Sequence, residues 1–68
     1  MHGTLRPVVT ADPDEASELL AAGRRVVLIV PAGTDARPVP GRMAIMVGDP
    51  SDPDVRAAAE EMAAELRF

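Results

Sequence analysis

The chain has 68 residues, with 11 acidic side chains against seven arginines and no lysine, for a formal net charge of −4. A chain of this length makes one domain, near the lower limit at which a fold buries enough of its surface, roughly 60%, to be stable alone. The acidic balance and the single aromatic residue, Phe68, exclude a cationic, base-stacking surface for nucleic acid. The absence of cysteine excludes disulfides and thiolate metal sites.

The sequence also carries information on the cellular location and the origin of the protein. No basic segment followed by an apolar one opens the chain, and the longest apolar run, Val26 to Ala32, is too short to span a bilayer. We therefore expect a soluble, cytoplasmic protein without membrane contact. The lack of Lys, Asn, Gln, Tyr and Trp beside abundant Ala, Arg, Gly and Pro indicates GC-rich coding and a bacterial origin.

The first elements are a short strand and a helix. Leu5 to Val9 is a β-prone run interrupted by Pro7, which predicts an edge strand because proline cannot donate to a central ladder. Asp12 is placed as an N-cap, with proline at the first helical position and Glu15 at capping-box spacing. Gly23 predicts the end of this helix, and two arginines follow it near the negative end of the helix.

The middle of the chain contains two apolar strands around a loop. Arg25 to Val30 is continuously apolar after its first residue, which is typical of a strand buried on both faces. Pro31 to Gly41 holds three prolines and two glycines and predicts a loop of about eleven residues. Met43 to Val47 is the third strand, and Gly48 to Pro50 turn the chain out of it.

A second helix is predicted from Asp52 and Pro53 to about Arg67, because an aspartate and a proline repeat the pattern that opens the first helix. Helical spacing assigns one face to the core and the other to solvent. The predicted core positions are Val55, Ala58, Ala59, Met62 and Leu66, and the predicted outward positions are Arg56, Glu60, Glu61 and Glu65.

These elements predict an α/β fold, a small two-layer β-α-β-loop-β-α domain over residues 1–68 with a three-stranded sheet and two helices. The first two strands are expected to be parallel, and the direction of the third stays open. Two strands look apolar on both faces, yet only two alanine-rich helices are present to cover them. Burying about 300 Å² of exposed apolar surface against a second copy or a larger protein would contribute on the order of 7 kcal/mol before entropy costs. Alternatively, the two helices take opposite faces and small alanines suffice.

Acidic turns follow two of the strands. If all strands were parallel, Asp12, Asp49 and Asp52 would lie at the carboxyl end of the sheet, where open α/β sheets bind ligands. A small-ligand or metal-binding domain is therefore one alternative, although aspartates at these positions ordinarily cap helices. We predict no catalytic residue, metal site or cofactor, because the only histidine is His2 and neither Ser17 nor Ser51 has a base to activate it.

The loop is the strongest candidate for a binding surface. Each residue before a proline is kept out of the helical region, so the segment around Pro38 and Pro40 is expected to be stiff and extended. Val39 would be an apolar anchor between these prolines. Arg37 and Arg42 would bind an anion or a carboxylate. The predicted partner-binding residues are Arg37, Pro38, Val39, Pro40 and Arg42.

About half of the chain consists of a helix, the strand Arg25 to Pro31, the triplet Ala32-Gly33-Thr34 and a long loop before a third strand. This order of segments resembles the potato inhibitor I family of serine-protease inhibitors. The acidic second helix departs from that family, in which a strand bearing arginine stands there instead. The resemblance implies an alternative function, protease inhibition through Gly33 to Gly41.

The interpretation we favour is a non-enzymatic protein–protein interaction module, an accessory or regulatory subunit. Such a module would self-associate, as a homodimer, or dock on a larger protein through an uncovered face or edge of its sheet. Its affinity would come from the burial of apolar area.

Overall fold

The computed structural model of the chain describes residues 6–66. Their elements follow in the order β1 (Val8–Thr10), α1 (Pro13–Ala21), β2 (Val26–Val30), β3 (Met43–Val47) and α2 (Pro53–Glu65). The predicted α/β class and element order are confirmed. The predictions that involve His2, Leu5, Arg67 and Phe68 lie outside the described residues.

The three strands form one sheet in the order β1-β2-β3, and both pairs of neighbours are parallel. Val26 lies opposite Val8 on one side and opposite Met43 on the other. The direction of the third strand, which the sequence left open, is thus parallel. β1 is an edge strand as predicted, although it begins one residue after Pro7 and ends at Thr10.

The helices pack on opposite faces of the sheet, so the fold has three layers and the two-layer prediction is wrong in this respect. Val26, Leu28 and Val30 pack with Ala16 of α1 on one face, which we call the α1 face. Val27 and Ile29 pack with alanines of α2 on the other, the α2 face. Because side chains alternate along a strand, β2 fills both layers, and all five of its residues are buried.

α1 begins at the predicted N-cap and ends at the predicted glycine, but the capping box expected from Glu15 is not formed, because the Asp12 amide donates to the Thr10 hydroxyl at 3.1 Å instead. The Asp12 carboxylate accepts a hydrogen bond from the Asp14 amide at 2.9 Å, and Pro13 occupies the first helical position. At the other end, the amide of Arg24 donates to the carbonyl of Leu19 at 2.8 Å. Gly23 takes a φ of 82°, which closes this Schellman motif and turns the chain into β2.

α2 is capped by Asp52, whose carboxylate accepts from the Asp54 amide at 2.9 Å. Its buried positions differ from the prediction at one residue. Ala58 is exposed, and Ala63 is buried in its place beside Ala59. The buried stripe is rotated toward the later alanine because α2 lies against Val27 and Ile29 of the central strand. Neither described helix has the length and apolarity needed to cross a membrane.

Residues 31–42 connect β2 to β3 without a helix. The segment starts with a turn in which the Thr34 amide donates to the Pro31 carbonyl at 3.2 Å, with Gly33 at a φ of 87°. Between its ends, Ala36 packs against the cluster on the α1 face. The connection therefore runs back along that face, returns the chain to the start of β3 and makes parallel pairing possible.

Candidate partner-binding surface

The outer side of β3 is an open edge of the sheet. The Val26 amide donates to the Arg42 carbonyl at 3.0 Å, and the Gly48 amide donates to the Val30 carbonyl at 2.8 Å. Since alternate residues of a parallel strand face the same neighbour, these bonds direct the backbone groups of Ala44 and Met46 toward β2. The backbone groups of the odd-numbered residues of β3 point away from the sheet.

The loop already covers the first of these outward residues. The Met43 amide donates to the Val39 carbonyl at 2.8 Å, and the Val39 amide donates to the Met43 carbonyl at 3.0 Å, which makes an antiparallel bridge. A tight turn closes it, with Pro40 and a positive-φ Gly41 at its centre, as a type II turn requires. Within residues 6–66, the outward amides and carbonyls of Ile45 and Val47 have no hydrogen-bond partner.

Apolar side chains surround this open edge. Val47 is 64% exposed and Val39 is 36% exposed, and these two are the exposed large hydrophobic residues of the described chain. Met43 and Ile45 are half-buried and pack at the margin of the α1-face cluster. We call Val39, Met43, Ile45 and Val47 the β3 edge patch. It presents apolar area and unpaired backbone groups side by side.

The predicted partner-binding residues are all exposed, and the structure divides them into two groups. Val39, Pro40 and Arg42 belong to the turn that adjoins the start of β3, so they flank the β3 edge patch. Arg37 and Pro38 lie in the segment before that turn, next to the half-buried Ala36. The loop is thus anchored at its middle and at its end. Protease inhibition through Gly33 to Gly41 stays a prediction.

A fixed carboxylate lies just beyond the carboxyl end of β3. The Asp49 carboxylate accepts hydrogen bonds from the Ser51 amide at 2.9 Å and from the Ser51 hydroxyl at 2.7 Å. The hydroxyl bond, and then the amide bond, lower the pKa of Asp49 from its ordinary value of 3.8. Asp49 is therefore a negative charge of defined position at neutral pH.

This arrangement predicts the pKa of Asp49 and its response to mutation. Ser51→Ala removes the hydroxyl donor, so the pKa should rise toward 3.8, as carboxyl NMR chemical shifts followed across pH would show. Because the folded pKa lies below the unfolded value, the stabilising contribution of Asp49 is complete above about pH 4 and is lost as pH falls through the folded value. An Asp49 titration that is unchanged by Ser51→Ala would contradict this assignment.

The acidic turns do not converge, although all strands are parallel. Asp12 follows β1, whereas Asp49 and Asp52 follow β3, and β2 lies between them. Two strand spacings amount to about 10 Å. In the described part of the chain, no three acidic or histidine side chains are grouped so as to hold a metal ion. The placement of these residues gives the ligand-binding and metal-binding alternative no support.

The amino ends of the strands carry the opposite charge. A shallow cavity of about 130 Å³ is lined there by two glycines and three arginines, Gly23, Arg24, Arg25, Gly41 and Arg42. The carboxyl ends carry acidic side chains instead, namely Asp12, Asp14, Glu15, Asp49, Asp52 and Asp54. Arginines therefore lie at the starts of β2 and β3, and carboxylates follow the ends of β1 and β3.

Sequence reasoning did not single out Ile45 and Val47, which the structure places on the outer side of β3. The run Met43–Val47 indicated a strand covered on both faces, whereas four of its residues are half-buried and the last is exposed. An apolar strand that follows a long loop was the available signal. No family model matches the chain, and neither a curated protein nor a solved structure is similar to it.

Proposed function

We propose that this chain is a small non-enzymatic interaction module that binds a protein partner by adding a strand to the open edge of β3. The observation that carries the proposal is the outward backbone of Ile45 and Val47, beside the exposed Val47 side chain. In this mode of recognition, main-chain hydrogen bonds supply affinity and neighbouring side chains supply specificity. An accessory or regulatory subunit is the role that such a module fits.

The two edges of the sheet differ in how they are protected. Open edges pair with other chains unless short length, proline or charge prevents it. β1 has three residues and is preceded by Pro7, which has no amide to donate. β3 has five residues, MAIMV, with neither a proline nor a charge among them. Among the described residues, Met43 alone of the outward residues of β3 is shielded, by its bridge to Val39, so β3 is the edge suited to recognition.

The proposal predicts that the open edge accepts an added strand. A synthetic peptide with the sequence of residues 42–49 is the probe, and amide hydrogen exchange by NMR at low protein concentration is the measurement. Adding the peptide should slow exchange at Ile45 and Val47 by about tenfold or more, because their amides gain partners. Exchange at Ala44 and Met46 should change little, since those amides already donate to β2.

A matched pair of variants distinguishes strand addition from non-specific association of the peptide. Val47→Pro removes an outward donor without touching the ladder to β2, so it should abolish the slowing. Val47→Thr keeps the amide and the branched side chain, so the peptide should still slow amide exchange in this variant. Unchanged exchange at Ile45 and Val47, both with millimolar peptide and at high protein concentration, would overturn the proposed function.

A further inference from the structure

We infer that the strand added to β3 is β3 of a second copy, antiparallel to the first about a twofold axis that passes through Met46. This inference rests on the proposed function and names the partner. It would join two sheets into a continuous sheet of six strands. Such an interface is isologous, with the same patch contributed by each copy.

The bridge to Val39 selects the register. A twofold axis at Ile45 would pair Met43 with the partner's Val47, but both backbone groups of Met43 are already bonded to Val39. An axis at Met46 pairs Ile45 with the partner's Val47 and uses only groups that point away from β2. Two pairs, related by the axis, then exchange four hydrogen bonds. Because Val39 is paired with Met43, the added strand can extend along β3 only as far as Ala44.

Charge selects the antiparallel orientation. Arg42 precedes β3 in the positive group at the amino ends, and Asp49 follows β3 at the negative carboxyl ends. In the antiparallel register, Ala44 lies opposite Gly48 of the second copy, whose chain leaves the sheet there because Val39 occupies the place beside Met43. Asp49 of the second copy then lies next to the turn that ends at Arg42, and the contact occurs twice. Parallel pairing of the same strands would instead bring like charges together at both ends, which is unfavourable. Asp49 is held in place for this contact by Ser51.

The same register buries the exposed part of the β3 edge patch. Because the axis is perpendicular to the sheet, the two α1 faces lie on the same side. Ile45 and Val47 share that face by strand alternation, so Val47, 64% exposed in one copy, packs beside the partner's Ile45. Met46 meets the partner's Met46 on the α2 face. A second copy thus satisfies the open backbone groups, the apolar side chains and the end charges together.

Charge reversal tests this inference. Arg42→Glu and Asp49→Arg each place like charges at both ends of the interface, so each variant alone should raise the dimer Kd by about tenfold or more, measured by light scattering and sedimentation across a concentration series. An equimolar mixture of the two variants should form a heterodimer with Kd near that of the wild type, because every contact is again between opposite charges. The double variant should also recover. Arg56→Glu, an equal change of charge at an exposed residue of α2, should leave the Kd unaltered.

The outcomes separate the two proposals. A wild-type chain that remains monomeric at all concentrations, yet shows slowed exchange at Ile45 and Val47 with the peptide, would overturn the second copy as partner and leave strand addition standing. Single variants that dimerise like the wild type, or a mixture that does not recover, would overturn the antiparallel register. A circular dichroism spectrum for each variant confirms that it folds.

Discussion

Replacing Ile29 with alanine should lower the free energy of unfolding by about 2–5 kcal/mol, measured by urea unfolding at one fixed protein concentration. Ile29 is fully buried at the centre of the sheet, against Ala59 and Ala63 of α2. The variant loses the transfer free energy of three buried carbons and leaves a cavity that two alanines cannot fill. A domain of this length has a total stability of roughly 3–10 kcal/mol, so the substitution should remove a large part of it.

Val47→Ala is the matched control for this experiment. It also truncates a branched aliphatic side chain in a strand, but Val47 is 64% exposed in the single chain. At concentrations where the chain is monomeric, its effect should stay within about 0.5 kcal/mol. Equal destabilisation by the two substitutions would contradict the assignment of β2 as the buried strand and β3 as the open edge.

Ala59→Leu should destabilise the protein by about 1–3 kcal/mol, because the larger side chain has no space between α2 and the sheet. Ala59 has no exposed surface and lies beside Val27 and Ile29. Thermal or urea unfolding is the measurement. The small side chain is what lets α2 approach the central strand closely, so the loss should exceed the small change in helix propensity between the two residues.

Ala58→Leu provides the comparison within the same helix. The substitution and its effect on propensity are identical, but Ala58 is exposed, so the free energy of unfolding should change by less than about 0.5 kcal/mol. If Ala58→Leu were the more damaging substitution, the buried stripe of α2 would be the one predicted from sequence spacing. That result would contradict the packing described for Ala59 and Ala63.

The central strand β2 and the edge strand β3 have different roles in the stability of the fold and in the proposed function. A helix packs on each face of β2, and all five of its residues are buried, so β2 has no exposed surface for a partner to contact. The side chains of β3 pack only at the margins of the two clusters, Met43 and Ile45 on the α1 face and Ala44 and Met46 on the α2 face, and its outer edge is open. Substitutions in β2 should therefore act on folding, whereas substitutions at Val47 and at the two end charges should act on association.

The local elements were determined by the sequence. Aspartate followed by proline predicted both helix starts, because the carboxylate accepts an amide of the first turn and proline has none to lose. Gly23 predicted the end of α1, since only glycine takes its positive φ without strain. The five apolar residues of β2 predicted a central strand with both faces buried. Each of these signals lies within a few residues of the feature that it predicts.

The tertiary structure alone decided how these elements combine. Ala58 and Ala63 are chemically identical, and only the contact of α2 with Val27 and Ile29 determines which one is buried. The course of residues 31–42 along the α1 face makes β3 parallel, and no local pattern encodes it. The bridge between Val39 and Met43 leaves Ile45 and Val47 as the open edge. These features depend on contacts between distant parts of the chain, which composition and periodicity do not specify.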